Sequence, residues 1–204
     1  MSQESLVPNH YSLTPIRMSK NPLLIIIMLC SLWIPCIAQN NPKNDIKITL
    51  LSLGSGSTRI TYERALSTHN SAELTLGFVG LGWDIMNDAD PKGLLVKVAY
   101  KWNILPLHDM ALAGLYVKPE FVYANFDYTD PEQSIVTTQH VNHWALLAEV
   151  GYQIIYKWFL FDIYTGLGPS NGDVATNNYY HSFMLFPSDG HLAFTAGFRI
   201  GVAF

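Results

Sequence analysis

Residues 191–204 read HLAFTAGFRIGVAF, and they alternate between two kinds of side chain. The even-numbered positions are mostly large and apolar, whereas the odd-numbered ones are small or polar (even set: Leu192, Phe194, Ala196, Phe198, Ile200, Val202, Phe204). A period of two is typical of a β-strand whose two faces meet different surroundings. The stretch therefore predicts a two-faced strand that continues to the last residue printed, without a polar cap.

The same alternation recurs along most of the chain. It is clear in residues 93–102 and 143–156, and noisier in 46–53, 58–66, 72–83, 115–128 and 159–167. The alternation between even and odd positions is interrupted near 79–81 and near 124–126, which indicates a bulge or a strand rising clear of a bilayer. No stretch after Ala38 shows a helical period. The sequence therefore predicts an all-β fold of eight antiparallel strands.

The predicted connections alternate in length. Residues 67–70 and 157–158 are tight and 104–113 is somewhat longer, whereas 85–92, 129–140 and 168–190 are long and polar. Short turns at one end and long loops at the other are typical of up-and-down outer-membrane barrels. The first connection, 54–57, is an exception, because it is short and belongs to the long-loop end. An even strand count predicts that both ends of the barrel chain lie on the periplasmic side.

Composition and the N-terminal region agree with an envelope location. Only 14% of the 204 residues are charged and the net charge is -4, which excludes a nucleic-acid partner. Residues 18–38 have the layout of a secretory signal peptide cleaved after Ala38, preceded by an extension, 1–17, that would be absent if Met18 is the initiator. Residues 39–45 then form a short periplasmic lead, and 46–204 the barrel. Cys30 and Cys36 both lie in the signal, so the mature chain has no disulfide or thiol chemistry.

Charge pairing favours the polar face as the inner one, although a soluble lipocalin-like barrel would also show two faces. The polar parity carries six basic and five acidic residues: Lys47, Arg59, Glu63, Glu73, Lys97, Lys101, Lys118, Glu120, Glu149, Asp162 and Arg199. Such a near balance suits a narrow lumen in which opposite charges pair and leave no open pore. We expect four of the basic side chains to contact four of the acidic ones. The basic residues are Arg59, Lys97, Lys101 and Arg199, and the acidic residues are Glu63, Glu73, Glu120 and Glu149.

Aromatic side chains on the apolar parity collect near both ends of the strands. Those near the short turns are Tyr62, Tyr100, Trp102, Tyr156, Trp158 and Phe204, and those near the long loops are Trp83, Tyr123 and Trp144. Amphipathic rings at both ends of an apolar band are typical of two membrane interfaces. The apolar face is therefore expected to contact lipid, and the barrel must close because unpaired backbone in hydrocarbon is costly.

Four segments carry a resemblance to known proteins: IAQ (37–39), ITYERALS (60–67), SAELTLGFVG (71–80) and FRIGVAF (198–204). The chain resembles small outer-membrane β-barrel families of Gram-negative bacteria, of the outer-membrane protein A and X type, particularly uncharacterised ones from Bacteroides-like lineages. The resemblance implies that Phe198, Ile200, Val202 and Phe204 form the signal read by the barrel-assembly machinery. The same residues would also serve simply as lipid-facing side chains of the closing strand.

Candidates for chemistry are weak. Histidines and serines occur at or near the long loops without a characteristic spacing (His140, His143, His181, His191; Ser134, Ser182, Ser188). No catalytic residue, cofactor site or metal site is predicted, although a lipid A-modifying hydrolase or acyltransferase using His143 stays open as an alternative. The outer rim is acidic, with Lys92 facing Asp84, Asp88, Asp90, Asp127, Asp130, Glu132, Asp173 and Asp189. Those acids either bind divalent cations that bridge to lipopolysaccharide phosphate or are solvated loop residues.

Taken together, the sequence predicts a monomeric outer-membrane barrel with a structural or surface-interaction role. Its partners would be outer-membrane lipid, lipopolysaccharide and, during biogenesis, the assembly machinery. A narrow channel or transporter is the second alternative, and paired lumen charges argue against it.

Overall fold

The computed structural model describes residues 41–84, 91–108, 110–129, 138–171 and 192–204. Within these ranges the chain forms an antiparallel barrel closed in sequence order, which confirms the predicted eight-stranded up-and-down fold. The strands are β1 (Asn44–Thr49), β2 (Ser55–Ala65), β3 (Asn70–Asp84), β4 (Lys92–Pro106), β5 (Gly114–Thr129), β6 (Thr138–Tyr156), β7 (Phe159–Pro169) and β8 (Leu192–Ala203). The predicted extension and signal peptide (1–17 and 18–38) and residues 39–40 of the lead (39–45) lie outside the described residues.

Exposure follows the alternation of the sequence. Along β7, each residue that is buried inside the barrel is followed by one that is exposed or half-buried outside it. On β6, Leu146 is 49% exposed and its neighbour Leu147 is 1% exposed. Because a strand turns successive side chains to opposite faces, the core of this protein is the filled interior of the barrel, called the lumen below.

The last strand closes the barrel against the first. β1 pairs with β8 from Asp45↔Ala203 to Thr49↔Arg199. Beyond that ladder, the backbone N–H of Phe204 donates to the carbonyl oxygen of Asn44 at 2.8 Å, and the N–H of Asn44 donates to that of Phe204 at 2.9 Å. The terminal strand that sequence left without a cap is therefore hydrogen-bonded along the seam, the name used here for the β1–β8 pairing.

Connections follow the expected alternation. One end of the barrel, the short-turn end, carries connections 66–69, 107–113 and 157–158. The other, the long-connection end, carries the connections 85–91, 130–137 and 170–191 and the short link between β1 and β2. The start of β1 and the end of β8 both lie at the short-turn end, as an even number of strands requires.

The link between β1 and β2 differs from the sequence prediction. A strand was expected over 46–53 and no helix anywhere after Ala38, but β1 ends at Thr49 and a five-residue helix, α1 (Leu50–Gly54), follows. The hydroxyl of Ser52, which is fully buried, donates to the carbonyl oxygen of Thr49 at 2.7 Å. One turn of helix is too short for a 3.6-residue apolar period to show in the sequence.

Of the two predicted irregularities, one is present. The β2–β3 register shifts between Ser55 and Ser57, opposite the part of β3 that includes Gly80, whose φ is 88°. A bulge near 124–126 is absent, because the β5–β6 register runs without a break from Gly114↔Gln153 to Thr129↔Thr138. Phe126 points inward although it is apolar, because the lumen is filled by apolar side chains near the long-connection end.

Candidate functional site

The lumen holds the charged groups of the barrel. All eleven charged residues that sequence assigned to it lie inside and are at most 5% exposed. Asp45 joins them at 0% exposure, although it was placed in the lead because the first strand was expected to begin at Ile46. Among the described residues the lumen therefore holds six basic and six acidic side chains. Balanced numbers allow each buried charge an opposite neighbour, without which burial is strongly unfavourable.

Glu73 on β3 accepts from three cations. Its Oε1 lies 2.8 Å from Lys47 Nζ, its Oε2 lies 3.3 Å from Arg199 Nη1, and Oε2 also accepts from Lys118 Nζ. These three donors come from β1, β8 and β5, which are distributed around the barrel wall. A single carboxylate therefore ties together four strands across the lumen.

A second carboxylate, Glu63, and an amide extend the contacts toward the short-turn end. Glu63 lies 2.5 Å from Lys47 Nζ and 2.9 Å from Lys101 Nζ. The Oε1 of Gln153 accepts from the same two ammonium groups at 3.1 and 2.8 Å, and its Nε2 donates to Asp45 at 2.9 Å. Gln153 is neutral, so a search for charge alone did not single it out, although its parity placed it on the inner face.

Toward the long-connection end, Lys118 and Lys97 share the carboxylate of Glu120. Lys97 Nζ lies 2.6 Å from Glu120 Oε1, and Lys118 Nζ lies 3.1 Å from Glu120 Oε2. Lys118 Nζ also lies 3.1 Å from Glu149 Oε2. Lys118 is thus the link between this group and Glu73.

Two tyrosines complete the arrangement. Arg199 Nη2 lies 2.6 Å from Asp162 Oδ2 and donates to the hydroxyl of Tyr116 at 3.1 Å, and that hydroxyl donates to Asp162 at 2.8 Å. The guanidinium carbon of Arg199 also stands 4.5 Å from the ring centroid of Tyr164. Tyr116 fits because it lies over Gly151, where an added Cβ would be 2.4 Å from the ring. A glycine at this position therefore makes room for a full aromatic ring inside the barrel.

These contacts join into one set, called the lumen charge network, to which every strand contributes. Its members are Asp45, Lys47, Glu63, Glu73, Lys97, Lys101, Tyr116, Lys118, Glu120, Glu149, Gln153, Asp162 and Arg199. Three of the expected ion pairs form: Lys97 with Glu120, Lys101 with Glu63 and Arg199 with Glu73. Lys47 and Lys118 were not among the expected donors, yet they make most of the contacts. Arg59, also 1% exposed, lies beside Gly77 on the same inner face.

Apolar side chains fill the lumen on both sides of this network. At the long-connection end the cluster comprises Val79, Leu95, Val122, Ala124, Phe126, Ala145, Leu147 and Ala193. At the short-turn end Leu112 and Ala113 from the β4–β5 connection pack with Ile155, Leu160 and Ala203. That connection is held under the barrel because Asn103 Nδ2 donates to the carbonyl oxygen of Ala111, and Leu112 is 0% exposed. The charged layer is therefore enclosed between two apolar layers.

The outer wall is apolar. Large hydrophobic side chains are exposed on it from β2 round to β8, among them Leu76 (49%), Val98 (47%) and Ile163 (53%). Aromatic side chains stand near the two ends: Tyr62, Tyr100, Trp102, Tyr156 and Trp158 toward the short turns, and Tyr123 and Trp144 toward the long connections. The side chain of Trp83 lies outside the described residues. Phe198, Ile200, Val202 and Phe204 are half-buried on the outer face of the seam.

The described residues do not bring the chemical candidates together. His140 points outward, with Nδ1 2.6 Å from Asp127 Oδ1, whereas His143 is 8% exposed on the inner face beside Phe126. Three residues apart on a strand, the two histidines face opposite sides of the wall. His181, His191, Ser134, Ser182 and Ser188 lie outside the described residues. In the described ranges no cluster of three or more metal-ligating side chains occurs.

The acidic rim is only partly described. Asp127 and Lys92 are exposed at the long-connection end, and Asp84 ends β3. Asp88, Asp90, Asp130, Glu132, Asp173 and Asp189 lie outside the described residues. In the parts of the chain that are described, no helix has the length and apolar character to cross a membrane.

Comparison with known proteins identifies no family for this chain. No family model matches the sequence, and no curated protein matches it. Among solved structures, the N-terminal β-barrel domain of Pseudomonas aeruginosa OprF aligns with 81% of this chain and 100% of that domain, at 12% sequence identity and a TM-score of 0.46. The architecture given above rests on the strand pairing of this chain itself.

Proposed function

We propose that the chain is an outer-membrane β-barrel protein with a structural or surface-interaction role and no open pore. One observation carries the proposal: the barrel has its charges inside and its large apolar side chains outside. Soluble monomers rarely expose a contiguous apolar patch of more than a few hundred Å². Here the outward positions of neighbouring strands are apolar around the wall, for example Val98 on β4, Phe121 on β5 and Leu146 on β6, each more than 40% exposed.

The dimensions support a membrane-spanning role. A tilted transmembrane strand needs about 9 to 11 residues, and β2 to β8 have between 11 and 19. Closure through the seam leaves no strand edge for hydrocarbon to meet, which is the condition for a sheet to cross a bilayer. The signal-peptide layout of residues 18–38 favours the outer membrane of a Gram-negative envelope, reached through the barrel-assembly machinery.

A sealed lumen supports a role without transport. Water and ions would have to pass two apolar layers and a layer of paired charges that every strand helps to hold. The proposal includes no catalytic step, because His140 and His143 face opposite sides of the wall. For contacts at the cell surface, we propose the long-connection end. A monomeric barrel would there contact lipopolysaccharide or other surface molecules.

Heat-modifiability tests the proposal. The purified protein, refolded from urea into detergent and into phospholipid vesicles, should migrate faster on a gel unheated than after boiling, with a β-type far-ultraviolet circular dichroism spectrum. In planar bilayers it should give no unitary currents. A species that stays soluble without detergent would contradict the membrane assignment, and reproducible single-channel currents would contradict the sealed lumen.

A further inference from the structure

Charge outside the lumen is separated between the two ends of the barrel. After residue 39 the sequence has four basic residues outside the lumen, and three of them, Lys43, Arg64 and Lys157, belong to the short-turn end. The long-connection end has Lys92 against the eight acidic residues of the rim named above. The single acidic residue of the short-turn end, Asp109, belongs to the β4–β5 connection. Side-chain charge is therefore net positive at one end and strongly negative at the other.

The three cations of the short-turn end are neighbours along the seam. Arg64 on β2 pairs in register with Asn44, which follows Lys43. The carbonyl oxygen of Asn44 accepts from Phe204 at 2.8 Å, and the carbonyl oxygen of Trp158, next to Lys157, accepts from Ala203 at 2.8 Å. The sequence of strands around the wall from Lys157 to Arg64 is thus β7, β8, β1 and β2, a span of about 14 Å at ordinary strand spacing. We call Lys43, Arg64 and Lys157 the cationic arc, and all three are exposed.

Aromatic rings place this arc at headgroup depth. Tyr62 lies two residues before Arg64 on the same face of β2. It is 38% exposed, and its hydroxyl donates a hydrogen bond to Asn44 Oδ1 at 2.8 Å. Trp158 is 43% exposed, and Lys157 Nζ stands 5.6 Å from the ring centroid of Tyr156. Tyrosine and tryptophan favour the boundary between hydrocarbon and headgroups, and long basic side chains extend from there to the lipid phosphates. Cations in this position face the phosphate layer of the leaflet that surrounds the short turns.

We propose that the cationic arc is a binding surface for anionic phospholipid headgroups of the leaflet at the short-turn end. Charge complementarity selects this occupant: a second copy would bring the same positive arc against itself, and the opposite leaflet meets the acidic end. The inference rests on the proposed membrane function and adds a lipid class and a side to it. A basic residue near an anionic surface contributes about 1 kcal/mol, which is about fivefold in binding.

Native mass spectrometry of the detergent-refolded protein tests the arc. The protein is offered phosphatidylglycerol or phosphatidylcholine with the same acyl chains, and bound lipid is counted. We expect a preference for phosphatidylglycerol of about fivefold or more, reduced to near parity in the triple variant Lys43→Gln/Arg64→Gln/Lys157→Gln. The matched control, Lys92→Gln, removes an exposed cation from the acidic end and should keep the preference of the unmodified chain.

Two results would overturn the inference while the barrel still folds and inserts. The first is equal binding of both lipids by the unmodified chain. The second is a preference for phosphatidylglycerol that survives in the triple variant, which would assign the anionic lipid to another surface. Heat-modifiability and insertion into phosphatidylcholine vesicles are measured on the same samples. Failure of insertion in vesicles of either lipid would instead remove the proposed membrane function, so the two failures are distinguishable.

Discussion

Replacing Glu73 by Gln removes one negative charge from the lumen charge network while keeping the shape of the side chain. Glu73 lies within 3.3 Å of Lys47 and Arg199 and accepts from Lys118, and its side chain is 1% exposed. Breaking a buried ion pair by removing one partner costs about 3–5 kcal/mol, because the other charge stays buried without compensation. We expect Glu73→Gln to lower the free energy of unfolding by that amount.

Urea unfolding in lipid vesicles, followed by tryptophan fluorescence, measures this cost through the linear dependence on denaturant. The matched control is Asp127→Asn, which breaks the exposed pair with His140 and should cost at most about 1 kcal/mol. The double variant Glu73→Gln/Lys118→Gln restores equal numbers of opposite charges, so its cost should be smaller than the sum of the single costs by about 0.5–3 kcal/mol. A Glu73→Gln cost no larger than that of the control, or strict additivity in the double variant, would refute the reasoning.

Three other changes test separate parts of the barrel. Val98→Arg puts a charge in the middle of the outer band and should lower the free energy of unfolding in vesicles by about 2–4 kcal/mol; an effect no larger than that of Val98→Ala would argue against lipid contact. Gly151→Ala forces its new methyl group against the ring of Tyr116 and should cost about 1–3 kcal/mol by the same assay, whereas an unchanged urea midpoint would show that the ring moves freely. Deletion of Phe204 removes the last hydrogen bonds of the seam, and we expect the yield of heat-modifiable barrel on refolding to fall more than the urea midpoint of the folded fraction; equal losses would contradict an assembly role.

The fold followed from the sequence because a period of two survives in every long strand. The even-numbered positions from Leu192 to Val202 illustrate this, since each is apolar and lies on the outer face of β8. The helix α1 was missed because five residues carry no helical period. Asp45 was missed because Ile46 was taken as the first strand residue, whereas β1 begins at Asn44, so a two-position error at a boundary moved a lumen charge into the lead.

The interior was harder to predict than the wall. Parity identified which residues point inward, but which charges meet depends on side-chain reach across the barrel and on the stagger of strands that are distant in sequence. Lys47 and Glu73 are on β1 and β3, and only closure of the barrel brings Arg199 on β8 to the same carboxylate. Phe126 was interpreted as a slip because an apolar inward residue was unexpected, and the apolar layer that it joins becomes visible only when several strands are considered together.

The central claim is that the outer face of the barrel meets hydrocarbon. A spin label placed in turn at His140, Leu146, Val150, Ile154 and Lys157, in a background without Cys30 and Cys36, samples the outward side of β6 and its short turn. In vesicles, collision with oxygen should be highest, and collision with a water-soluble nickel chelate lowest, at Val150, with the reverse at His140 and Lys157. If the nickel chelate reaches Val150 as readily as it reaches His140, the outer face is in water and the account is wrong.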